Sequence, residues 1–277
     1  MNELITGLLQ ESISGIALGS IYALIALGFT LIYKASEVVN FAQGEVMMVG
    51  AYVNYFFVSY FSSMVGEVNG WVFLLAFLGS IIFAVIFGIT LDFIINRPLK
   101  DEPVFSIIMA TISLAIILRA LTALIAGPIS LVPQSPFGGS VMKVAGVVVS
   151  YLDLSIIFSA VVLMGLFFVF FNKTRWGIAM KATSEDSEAA QLMGIPVKKV
   201  YMIVWVFAAI VGVVSGILLA PRMSLLDTSM GFLGLKAFPA AILGGFGSIP
   251  GAVVGGIILG VIETVSMGTL SFHFSWI

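Results

Sequence analysis

Long apolar runs recur along the whole chain, separated by short polar or Gly/Pro-rich stretches. The runs are continuous, whereas strands of a transmembrane barrel alternate in segments of about ten residues. A bilayer core takes roughly 20 apolar residues of helix. The pattern therefore predicts an all-α polytopic bundle of about eight transmembrane helices, over 12–33, 41–63, 71–95, 104–126, 151–171, 199–221, 231–249 and 251–270. The seventh is rich in Pro239, Gly244, Gly245, Gly247 and Pro250. Proline removes a ladder hydrogen bond, so this segment is expected to be a broken helix. Broken backbone at membrane depth survives only against protein or a water-filled cavity. Pro239, Gly244 and Gly245 are accordingly candidates for the lining of a pathway. Small residues four apart (Gly15/Gly19, Gly212/Gly216, Gly251/Gly255, Gly256/Gly260) fit close helix packing.

Composition agrees. The 277 residues are 60% hydrophobic and only 9% charged, against about 25% charged in soluble domains. Mean hydropathy is +1.18, so most of the surface faces lipid. With no cysteine there is no disulfide, thiolate nucleophile or cysteine metal site, and His273 cannot build a metal site alone. A net charge of −2 argues against a nucleic-acid partner. Met1 to Gln10 lacks the basic start of a cleavable signal, so none is expected.

Charge also predicts orientation. Eight alternating spans put Lys34, Arg97, Lys100, Lys173, Arg175, Lys181, Lys198 and Lys199 on one side, and only Lys143 and Arg222 on the other. Basic loops are cytoplasmic, which places the N-terminus outside. The outer stretch 127–150 carries Pro128, Pro133, Pro136, Gly138 and Gly139 before a Val-rich extended segment. It serves either as a connection or as a docking surface.

The inner loop 172–199 holds the most informative pattern. Between Ser184 and Gly194 a short helix is expected, with Ser184 as its N-cap and Glu185 and Asp186 in its first turn. Gly194 in the left-handed conformation and Pro196 would end it. Ala189, Leu192 and Met193 would form a small apolar face. That face needs a cover: another protein, or the chain's own bundle.

Glu188-Ala189-Ala190, followed by Gly194, resembles the EAA…G signature of ABC-importer permeases. More specifically, 19–33 (GSIYALIALGFTLIY), 39–45 (VNFAQGE), 48–52 (MVGAY), 175–182 (RWGIAMKA) and 234–251 (GLKAFPAAILGGFGSIPG) resemble the LivH-type permeases of branched-chain amino-acid importers. The likeness spans nearly the whole chain as a single permease domain. It implies that Ser184, Glu185, Glu188, Ala189, Ala190, Leu192, Met193 and Gly194 form a coupling helix seated on an ATPase. It further implies a second homologous permease, two cytoplasmic ATPases and an extracytoplasmic solute-binding protein in a bacterial inner membrane. ATP and magnesium would be bound by those partners and no cofactor by this chain. Gln43 departs from the histidine common there, and the family usually adds a hydrophobic segment beyond Trp276-Ile277.

No Walker-type phosphate loop occurs, so energy must come from elsewhere. Ionisable groups within spans are expensive and point to function: Glu45, Lys236, Arg119 and Glu263. Glu45 and Lys236 are expected near segment ends, with either pairing or gating roles. Arg119 and Glu263 are expected to form an intramembrane pair. Asn40 either joins Glu45 in the pathway or caps the second helix. A stand-alone ion-coupled transporter or channel is the alternative use of these charges.

Overall fold

The apolar runs become helices throughout the computed structural model, which describes residues 2–99, 102–127, 129–135, 140–144 and 147–273. In order these are α1 (Asn2–Ser36), α2 (Gln43–Val65) and α3 (Gly70–Leu91), which continues through a π-helical turn (Asp92–Asn96) into α4 (Arg97–Leu99). Next come α5 (Val104–Ala126), a hairpin of β1 (Val141–Val144) and β2 (Val147–Ser150), and α6 (Tyr151–Lys173). Two shorter helices, α7 (Arg175–Glu185) and α8 (Ser187–Leu192), lead to α9 (Val197–Met223), α10 (Met230–Gly244) and α11 (Ile249–His273). Lys100, Pro128, Pro136, Gly138, Gly139, Trp276, Ile277 and the side chain of His273, all used above, lie outside the described residues.

Among the described residues, six helices are long and apolar enough to cross a membrane: Thr6–Ser36, Gly70–Leu99, Val104–Ala126, Tyr151–Lys173, Val197–Met223 and Ile249–Gly268. Two of the eight expected spans fall short of that measure. α2 has the length, but it buries Gln43, Glu45 and Asn54. α10 has 15 residues, about 22 Å of helix against a core of about 30 Å. It runs through Pro239 unbroken, and the break falls beyond it, where Gly245 turns at φ +82°.

α1 and α9 fill the centre, with Ile21, Leu24, Phe29, Val211 and Val213 fully buried. α1 and α11 run antiparallel and nearly touch: a Cβ on Gly19 would sit 2.7 Å from Ile257 Cα, and one on Gly15 2.8 Å from Val261 Cα. Without a hydrophobic drive between helices in lipid, such backbone approach supplies the packing energy. The outer helices α3, α5 and α6 expose Ile82, Phe105, Leu124 and Phe158, as lipid-facing surfaces do.

Segment 37–42 turns back into the bundle before α2 begins. Glu37, at φ +56°, closes α1 by donating its N–H to the Tyr33 carbonyl (2.7 Å). Gln43 then occupies the space left by Gly28 and donates to the Ala208 carbonyl (3.0 Å). Gly28 lies eight residues before the end of α1, so α2 starts about 12 Å inside the bundle. At the opposite end, Arg222 of α9 pairs with Asp153 of α6 and bonds to Ser14 of α1. The hairpin sits there, with Leu131 bridged to Leu226.

The expected helix from Ser184 to Gly194 is two helices broken at Asp186. Asp186 is the extended residue, and its carboxylate accepts from the Glu188 and Ala189 N–H groups (both 2.9 Å). Ser184 stays in the last turn of α7 and donates to the Lys181 carbonyl (2.8 Å). The cap is therefore Asp186, whose carboxylate takes two orphan donors of α8 at once. The far end closes at Gly194, φ +84°, whose N–H meets the Gln191 carbonyl while Ile195 N–H meets Ala190 (both 3.0 Å). This six-to-one and five-to-two pairing is the Schellman arrangement.

Candidate functional site

Charged residues from α2, α5, α10 and α11 form two ion pairs, one on each side of α10. Glu45 sits in the first turn of α2, carried inward by the 37–42 turn, and is 2% exposed. Arg119 lies fifteen residues along α5, about 22 Å from its start. The two form an ion pair. The Arg119 guanidinium also lies over the Phe232 ring of α10, 3.7 Å from its centroid. Gly44 and Gly231 allow this approach, because a Cβ on Gly231 would overlap the Glu45 carboxylate. The pair is not saturated: Glu45 Oε2 and Arg119 Nε have no hydrogen-bond partner.

The expected partnership of Arg119 with Glu263 is not what forms. Glu263 on α11 instead accepts from Lys236 Nζ of α10 and from the Tyr22 hydroxyl of α1, both at 2.8 Å. Two ion pairs thus flank α10 where one was expected between α5 and α11. Lys236 belongs to the exposed face of α10, with Phe232, Leu235, Pro239, Ile242 and Leu243. Its side chain is 47% exposed and that of Arg119 29%. Charges half-exposed at this depth do not face hydrocarbon without large cost. Gly244 and Gly245 end this helix at the α8 end of the bundle, where the Tyr33 and Phe246 rings meet at a tilt of 39° with centroids 4.7 Å apart.

Asn40 lies apart from Glu45. It does not join the ion pair; its Oδ1 accepts from the Ala42 N–H (3.0 Å), ahead of α2, and it lines a cavity beside α8. Of the α8 residues, Ala190 is buried against Val197 and Tyr201. Leu192 and Met193 are 88% and 83% exposed, and Ala189 is exposed beside them. Ser184 is half-buried and Glu185 exposed. Tyr22 and Phe232 are not singled out by the sequence, and Asp186 is expected as a first-turn acid rather than as the cap. Asp186 has a readable signal, being a stronger acceptor than Ser184 two residues away; Tyr22 and Phe232 have none, because only lateral packing brings them to the charges.

At the α8 end a second buried acid appears. Asp92, fully buried in the π-helical turn, accepts from Asn96 (2.7 Å) and Arg97 (3.0 Å). Among the described residues no group of three metal-ligating side chains forms.

Residues 12–276 match the family described as branched-chain amino acid transport system / permease component. The chain is similar to the high-affinity branched-chain amino acid transport system permease protein LivH of Escherichia coli (strain K12), 34% identical over 99% of this chain and 91% of that protein. It is 35% identical to the corresponding permease protein BraD of Pseudomonas aeruginosa, over 92% of this chain and 85% of BraD. A probable branched-chain amino acid transport permease protein LivH of Methanocaldococcus jannaschii is 28% identical over 89% and 77%. No solved structure matches.

Proposed function

The chain belongs to the permease family of branched-chain amino acid transport systems, and on that footing we propose that it is the membrane-spanning subunit of an ATP-binding-cassette importer for branched-chain amino acids. In this reading it crosses a bacterial inner membrane eight times. α2 and α10 are the incomplete crossings, enclosed by protein rather than lipid. The α8 end is cytoplasmic and the N-terminus outside, since Lys34, Arg97, Lys173, Arg175, Lys181, Lys198 and Lys199 gather at the α8 end.

One observation carries the coupling role. α8 is held at both ends, by Asp186 and by Gly194, yet presents Ala189, Leu192 and Met193 uncovered. A six-residue helix fixed this firmly with its apolar side outward fits a groove on a partner. That partner is a cytoplasmic ATPase, two of which would bind ATP and magnesium for the complex. A second, homologous permease borders the α10 face and gives Lys236, Arg119 and Phe232 a protein or aqueous surrounding. The hairpin end receives the solute-binding protein. Closure of the ATPases pushes α8, and access to the charges around α10 alternates between the two sides.

Leu192→Glu and Met193→Glu test this directly. Neither side chain packs in the isolated chain, so folding and insertion should be unchanged. Burying each apolar side chain is worth about 1.5–3 kcal/mol, so each variant should retain an ATP-hydrolysing partner roughly ten- to hundredfold less well during purification from membranes. Equal retention by both variants would remove the coupling role of α8. Transport driven by an ion gradient, with no ATPase, would replace the reading with a stand-alone transporter.

A further inference from the structure

An open groove of about 700 Å³ runs between α3 and α6, with α9 as its floor. Phe73 and Phe77 wall it on the α3 side, Phe158 and Val162 on the α6 side, and Val214 and Ile217 lie beneath. No charged residue lines it among the described residues. Its polar side chains are Ser135, Ser155 and Ser159, and the Ser155 hydroxyl donates to the Leu152 carbonyl (2.7 Å). Two exposed aromatics set its depth in the membrane. Trp71 (75% exposed) opens α3 and Tyr151 (44%) opens α6, each one residue from a lining residue at the hairpin end, Gly70 and Leu152. Exposed Trp and Tyr at span ends mark the level of the lipid headgroups.

Length and section decide what fits. From the headgroup level the groove follows α3 to Ile81, and α9 from Pro221 back to Ile210, about 16 Å in each case. On the α6 wall it reaches about one turn farther, to Leu166. Half of a hydrocarbon core is about 15 Å, so the groove starts at the interface and ends near the bilayer midplane. Its mean section is about 40 Å², whereas a helix with its side chains fills roughly 80–110 Å². A helix laid over the mouth would leave the floor uncovered, and a void there forfeits its contacts. A flexible run of methylenes matches both the section and the length.

We propose that this groove is a binding site for an acyl chain of a bilayer phospholipid, held with its headgroup at the hairpin end beside Trp71 and Tyr151. In the orientation proposed above the lipid belongs to the outer leaflet; its direction along the groove stands whichever side that end faces. Lipid tails are as apolar as the lining, so the hydrophobic effect does not hold the tail in place. Dispersion does: walls and floor touch it on three sides, where free tails meet only mobile neighbours. The bound tail joins α3 to α6 across α9.

The test is photolabelling in membranes of cells that make the chain with its natural partners. Phosphatidylethanolamine carrying a diazirine at the end of one acyl chain should label Ile81, Leu166 and Ile210. The same lipid with the diazirine near the ester should label Phe73, Leu152 and Ser155 instead. Groove labelling should saturate as the photolipid fraction rises, while labelling of Ile116 and Leu124, exposed on α5, keeps rising in proportion as ordinary lipid contact does. Val162→Trp and Leu166→Trp, at exposed wall positions, fill the groove and should each cut its labelling roughly tenfold with α5 unaltered. Ile116→Trp should leave the groove labelled as before. A groove that never saturates, a reversed order of the two diazirines, or labelling untouched by both filling variants would overturn the site. So would labelling of α5 with none in the groove, which is the result if a partner subunit covers it. None of these outcomes depends on ATP or on a transported solute, so failure of the importer reading leaves the groove to be judged by itself.

Discussion

Arg119→Met and Glu45→Gln remove opposite halves of one ion pair, and the surroundings of the two charges predict unequal costs. Arg119→Met leaves the Glu45 carboxylate, 3% exposed, without its cation. Its other oxygen is already unpaired and Gly231 packs against it. Stranding a charge this deeply costs about 3–5 kcal/mol. Glu45→Gln strands Arg119, but that side chain is 29% exposed and keeps its place over the Phe232 ring. Its loss is closer to that of one charged hydrogen bond, about 1.5–3 kcal/mol. The double variant leaves no charge to strand and should be more stable than Arg119→Met alone. The pair's coupling should then exceed the Glu45→Gln cost itself, about 1.5–3 kcal/mol, at the upper end of the range for residues in contact. Denaturant titration of the purified chain in detergent, read by helix content, measures all four corners of the cycle. Equal costs below about 0.5 kcal/mol, or strict additivity, would refute the buried pair.

Other outcomes follow from the same geometry. Gly19→Leu forces a side chain against the Ile257 backbone and should separate α1 from α11; a loss of about 1–3 kcal/mol is expected, read by the same titration. Gly194→Val places a β-branched residue at φ +84° with open space around it. The strain is about 1–2 kcal/mol, confined to α8, so ATPase retention should fall while bundle stability holds. Lys236→Met leaves Glu263 with the Tyr22 hydroxyl alone; uptake should drop more than stability does, because Lys236 is half-exposed on the face assigned to the pathway.

Where the sequence was legible, a one-dimensional signal mattered. Continuous apolar runs marked the six long apolar helices, and the Gly194/Pro196 pair marked the end of α8, because both depend on local backbone and hydropathy. The small-residue spacing likewise located real backbone contacts, such as Gly216 against Met47 and Gly256 against Ala23. Lateral arrangement was not legible. Arg119 is expected to pair with Glu263, yet Glu45 reaches Arg119 because 37–42 folds inward, and Lys236 reaches Glu263 between the neighbouring helices α10 and α11. No hydropathy pattern records such re-entry. The misplaced cap has a different cause: Ser184 and Asp186 both suit the role, and only the α7 helix running through Ser184 decides between them. Gln43, noted as a departure from histidine, proves to be a packing residue filling the space at Gly28.

The most direct test of the account is leucine uptake into proteoliposomes containing the full complex, measured with ATP and magnesium supplied on the α8 side and all ion gradients collapsed by ionophores. Uptake that requires ATP hydrolysis, and that falls roughly tenfold or more with Leu192→Glu, is the predicted result. Uptake that stops when the gradients collapse and proceeds without ATP would contradict it.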